Sequence, residues 1–177
     1  YGGLSTGGNV TANSLVGNVY TNGIYNSGAN GTGNIGSSTT YFNTFFGTAT
    51  TALYADLAEK YQSDEEYDPG TVVIFGEFTE ITISSQANDT RVAGVVSTNP
   101  AYVMNGTCEG EHTVAIALQG RVPCKVRGVI RKGDLMIASG DGFARPSTNP
   151  QLGSIIGKAL ANFDGIEGVI EIAVGRL

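Results

Sequence analysis

Thr113-Val114-Ala115-Ile116-Ala117-Leu118 and, after Gln119-Gly120, Arg121-Val122-Pro123-Cys124-Lys125-Val126 are two runs rich in β-forming residues. Both read as β-strands, and no 3.6-residue pattern longer than two turns interrupts them. Pro123 cannot donate to a ladder, so it implies a sheet edge or a bulge at that point. The same reading extends over residues 71–75, 80–84, 91–96, 134–138, 154–160 and 168–174, nearly all separated by turn residues. Strands at such short spacing predict a compact all-β sandwich or barrel over residues 67–177.

The N-terminal third is a different material. Residues 1–55 carry no formal charge, whereas all ten Lys and Arg and all sixteen Asp and Glu lie from Asp56 onward. A neutral stretch poor in large aliphatics cannot form a private core, because folding each residue costs about 1–2 kcal/mol of backbone entropy. It is therefore a flexible linker or one strand of a shared structure. Gly8-Asn9-Val10-Thr11-Ala12-Asn13-Ser14-Leu15-Val16 is followed by Gly17-Asn18-Val19-Tyr20-Thr21-Asn22-Gly23-Ile24-Tyr25, and a looser copy starts at Gly33-Asn34-Ile35. Short Gly- and Asn-rich units with β-branched residues suit elongated β structure. A single thin chain would expose its strand edges, and three chains about one axis would remove them. The expectation is mostly β: an extended, intertwined, trimeric fibre segment over residues 1–48, followed by the compact domain.

Between them, residues 49–66 form a connector. Leu53, Leu57 and Tyr61 recur at i, i+4 and i+8, which suits a short helix capped by Thr50 or Thr51. An extended connection pinned by Tyr54 and Leu57 is the alternative. The start at Tyr1 suggests the processed end of a longer chain.

Charge and composition narrow the function. A net charge of −6 argues against a nucleic-acid platform. No apolar run approaches the roughly 20 residues that cross a bilayer as a helix, so no membrane insertion is expected. Cys108, Glu109, Glu111 and His112 cluster thiol, carboxylates and the sole His, but their spacing matches no zinc pattern, so no metal, cofactor or catalytic residue is assigned. Cys108 and Cys124 are expected to be reduced in a chain assembled in cytosol, with a disulfide as the alternative. The acceptor patterns at Asn9, Asn30, Asn88 and Asn105 are expected by chance in a chain this rich in Asn and Thr. Tyr102, Phe143 and Arg145 are candidates for gripping a host surface, and equally for loop packing.

Asn34-Ile35-Gly36-Ser37-Ser38-Thr39-Thr40-Tyr41-Phe42-Asn43-Thr44-Phe45-Phe46-Gly47 resembles a segment of tail-fibre and related fibrous proteins of tailed bacteriophages. Residues 48–59, ending Tyr54-Ala55-Asp56-Leu57-Ala58-Glu59, are similar to the segment by which such fibres enter a C-terminal β domain. Residues 92–102, 120–126, 133–134 and 156–160 resemble the ends of myophage fibre proteins. The resemblance implies a virion structural protein without enzymatic activity, a homotrimeric tail fibre assembled in the host cytoplasm. Its partners would be other tail or baseplate proteins and, in the adhesin alternative, a glycan or protein on the host cell. Some phage appendages bear a similar domain that acts as an intramolecular chaperone and cuts itself off. By that resemblance Ser63-Asp64 is the junction to inspect.

Overall fold

The computed structural model describes residues 55–175 together with Ser37 and Thr39. The chain divides into two units, Tyr1–Thr48 and Ala49–Leu177. The intertwined fibre segment expected over residues 1–48 lies outside the described residues.

The second unit is all β. Its strands are β1 (Asp56–Gln62), β2 (Val72–Phe75), β3 (Ile81–Ile83), β4 (Val92–Val96), β5 (Tyr102–Met104), β6 (Thr113–Arg127), β7 (Leu135–Gly140), β8 (Phe143–Pro146), β9 (Ile155–Ala159) and β10 (Glu167–Val174). The order β10-β9-β7-β8-β6 closes on itself, because β10 also pairs with β6. The result is a five-stranded barrel. From the other half of β6 the sheet continues through β4 and β2 to β3, while β1 pairs with β6 and, in parallel, with β5.

The two runs around Gln119-Gly120 are one strand of 15 residues, not two. Gly120 is the reason the strand passes unbroken from one part of the sheet to the other. It lies opposite Asp56 of β1 and opposite Val174 of β10, so the beginning and end of the described domain meet on its two edges. Its φ of +113° suits glycine, and a Cβ there would run into the Ala55 carbonyl oxygen.

Pro123 occupies an edge position, as its missing donor requires. Alternate residues of a strand send their N–H groups to the same side. The Arg121 N–H donates to Ala55 O at 3.2 Å and the Lys125 N–H to Gly70 O at 2.8 Å. Pro123 falls between them, where no strand pairs with that side of β6, and on its other side it stays in register with Glu171.

Over residues 56–62 the connector is a strand and not a helix. Spacing of four is a multiple of two as well as nearly one helical turn, so Leu57 and Tyr61 also share one face of a strand. Seven residues of β1 pair with β6, and that ladder supplies the hydrogen bonds a helix would have made internally. Strands β5 and β8 escaped the sequence reading because each is only three or four residues long, and β8 ends in a proline.

Alternation along β6 builds two cores. Val122, Cys124 and Val126 point into the barrel against Met136, Ile156, Ile170 and Ile172. Val114 and Ile116 pack with Val73, Ile81 and Val96 in a smaller cluster. Burying each such side chain stabilises the fold by about 1.5–3 kcal/mol.

Candidate functional site

At the end of β1 the chain turns through Ser63-Asp64. The Ser63 N–H donates to His112 O at 3.1 Å and the Asp64 N–H to Ile81 O at 3.3 Å. The Ser63 hydroxyl donates to the Glu65 carbonyl at 2.7 Å, so its proton is held by a carbonyl oxygen and not by a base. Tyr67 donates to Asp64 Oδ1 and Thr82 to Oδ2, both at 2.6 Å. Partial burial alone would raise the Asp64 carboxyl, but the bonds from Thr82, Tyr67 and backbone amides outweigh it and lower its pKa. Burial and the bond to Asp64 raise the Tyr67 phenol. These bonds tie the end of β1 to β3.

Cys108 is half-buried and Cys124 wholly buried, and both are free thiols. Burial pushes the Cys124 thiol far up, away from thiolate chemistry. Among the described residues no three His, Cys, Asp or Glu side chains gather as metal ligands, and that holds for the stretch from Cys108 to His112.

The three residues singled out for gripping a surface part company. Tyr102 is 65% exposed on β5, which among the described residues pairs only with β1. Phe143 is taken up in packing: the Arg127 guanidinium lies 4.1 Å from its ring centroid and is itself bonded to Asp141 at 3.1 Å and Glu167 at 2.8 Å. Arg145 is half-buried on β8, opposite Ile137 of β7. With Asn88, Asp134, Pro146 and Asn149 it lines a polar cleft of about 480 Å³. In sequence Asn88 reads as an acceptor pattern and Asp134 as the first residue of a strand, since nothing local announces residues that the fold alone brings to Arg145.

A second, more apolar trough of about 370 Å³ runs beside the point where β1 begins. Leu57 and Tyr61 of β1, Phe75 of β2, Val92 of β4, Leu118 of β6 and Ile155 of β9 line it. Phe75 is 47% exposed there and meets the Tyr61 ring edge-on at 6.2 Å.

No protein-family model matches the sequence, and no curated protein does. Solved structures do. The pre-mature gene product 12 of bacteriophage phi29 is similar over 72% of this chain and 22% of its own, with a TM-score of 0.53 at 14% identity. The C-terminal fragment of the same gene product is covered over 99% of its length and 67% of this chain, with a TM-score of 0.49 at 14% identity. The head fiber gp8.5 N base of phi29 aligns over 92% of its length and 66% of this chain, at 0.42 and 14%. At such identity the first of these likenesses speaks for the fold alone, and the other two superpose too loosely to argue from.

Proposed function

We propose that this chain is a non-enzymatic structural protein of a phage virion, a fibre component that works as a homotrimer through residues 1–48. The observation that carries the reading is where the neutral, repeat-bearing stretch leads. It runs directly into β1, a strand bonded on one edge to seven residues of β6 and on the other to β5. The shared all-β fold of the phi29 chain supports the same reading.

In this proposal the trough beside β1 is where copies of the domain meet. The trough is assigned this role because Phe75 is 47% exposed beside Leu57 and Leu118. Covering it would remove exposed aromatic and aliphatic surface from water. The Ser63 and Asp64 bonding supports a structural and not a self-cleaving role for that turn.

Native mass measurement on the full chain is the test. Three times the single-chain mass is the expected result, and a monomer at micromolar concentration would overturn the proposal. Phe75→Ser should weaken assembly while leaving the β-sheet circular dichroism unchanged. A Phe75→Ser trimer as tight as the wild type would remove the trough from the contact.

A further inference from the structure

We propose that the cleft around Arg145 is a saccharide-binding site that takes a sugar by its hydroxyl groups. The inference sharpens the surface-gripping alternative raised by the sequence and does not depend on the chain being a trimer.

Arg145 differs from its counterparts. Arg91, Arg121, Arg127 and Arg131 each hold a carboxylate within 4.0 Å, with Asp89, Glu171, Asp141 and Asp164 among the partners. Arg145 is half-buried on a barrel strand, and its guanidinium has no ion pair or hydrogen bond among the described residues. A planar fork of donors held this way, without a partner, is prepared for an external acceptor. Asn88 lines the same cleft, and its side-chain amide makes no hydrogen bond among the described residues, although its Oδ1 is closed off from solvent and so is not the atom offered to a ligand.

The walls are fixed by backbone bonds. The Asn88 N–H donates to Ala138 O at 3.0 Å and the Ser147 N–H to Leu135 O at 2.9 Å. The Asn149 N–H reaches Ser147 Oγ at 3.2 Å, and one Asp134 oxygen accepts the Arg131 N–H at 2.7 Å. The second Asp134 oxygen keeps its accepting capacity. The cleft therefore presents fork and amide donors, a carboxylate acceptor and the apolar face of Pro146. Sugars match that set, since each hydroxyl both donates and accepts and the ring carries C–H faces. A phosphate matches it poorly, because the Asp134 carboxylate lines the same cleft as its one cation, Arg145. About 480 Å³ lies within the range of small-ligand clefts.

The test uses the full chain, labelled for NMR, titrated in three arms: neutral hexose and N-acetylhexosamine oligosaccharides, uronic-acid oligosaccharides, and inorganic phosphate. One saccharide arm should saturate the Arg145 guanidinium and Asn149 amide signals with a Kd of about 1 mM or tighter. Arg145→Ala and, independently, the loop variant Asn149→Ala should each weaken it, the former by about tenfold or more, with the dispersed spectrum showing that both fold. Arg121→Ala, which removes an ion-paired surface arginine, should change nothing. No saturation by either saccharide arm, saturation that survives both cleft variants, or saturation by phosphate alone would overturn the assignment. Chain stoichiometry is read separately, so failure here leaves the assembly proposal standing.

Discussion

Residues 121–127 and residues 113–119 of β6 follow one alternating pattern but belong to two kinds of sheet. The first half runs between β10 and the end of β8 inside a barrel, where Val122, Cys124 and Val126 are shut away from solvent. The second half runs between β1 and β4 in an open flank that ends at β3 and β5, each three residues long. Closure removes edges and allows a deep core, whereas the flank limits its exposed edges by keeping its outer strands short. The division matches the proposed labour. The flank receives the upstream chain and carries the Ser63 turn, the trough lies where flank strands meet β9, and the barrel supplies a rigid wall for the Arg145 cleft.

The sharpest way to break this arrangement is at its pivot. Gly120→Val would force a branched side chain into a left-handed backbone position and against the Ala55 carbonyl. We expect a loss of about 3–5 kcal/mol, the sum of backbone strain and a clash that no rotamer relieves. Urea unfolding measures it, and a wild-type midpoint would show that Gly120 is not the hinge of the two halves. Next in size is a paired truncation, Ile172→Ala in the barrel and Ile116→Ala in the flank, both at fully buried positions. Each should lose about 2–5 kcal/mol, with the barrel variant losing about 1 kcal/mol more because a closed wall collapses less readily around a cavity. Equal losses would mean that closure does not stiffen one half relative to the other.

Much of this architecture was legible from residues 71–174, because β-branched runs bounded by turns mark strands wherever one face is buried. The strands β2, β3, β4, β7, β9 and β10 start and end within two residues of the sequence reading. Gln119-Gly120 misled because Gly120 looks like a turn when its two paired neighbours, Asp56 and Val174, are far away in sequence. Leu57 and Tyr61 misled because their spacing satisfies both periods, and only the β6 ladder chooses between them. At the cleft, Arg145 stands out in the sequence, but nothing there ties Asn88, Asp134 and Asn149 to it. They come together through turns between strands, and turn residues carry no signal about which distant turn they will face.

The loop that fastens the flank to the barrel gives the smallest and most diagnostic effect. Ala87 bridges Ser139 of β7, and two residues on Asp89 is buried, its side chain 1% exposed. One of its oxygens accepts the Arg91 backbone N–H at 3.0 Å and Nε at 3.1 Å, and the other accepts a guanidinium N–H at 3.0 Å. The hydrogen bonds from Arg91 outweigh burial and lower the Asp89 pKa. A carboxyl lowered in the folded state adds stability above its unfolded value, about 4, and that stability disappears as pH falls through the folded value. Asp89→Asn should therefore lose about 1–2 kcal/mol near neutral pH, toward the low end of buried charged bonds because the Arg91 side chain is 43% exposed. The gap between wild type and variant should begin to narrow as pH falls below about 4 and close only beneath the lowered folded value, where the wild-type carboxyl takes up its proton. Denaturation midpoints measured across that range decide the point. A gap that stays constant with pH would place the fastening in the shape of the loop and not in its charge.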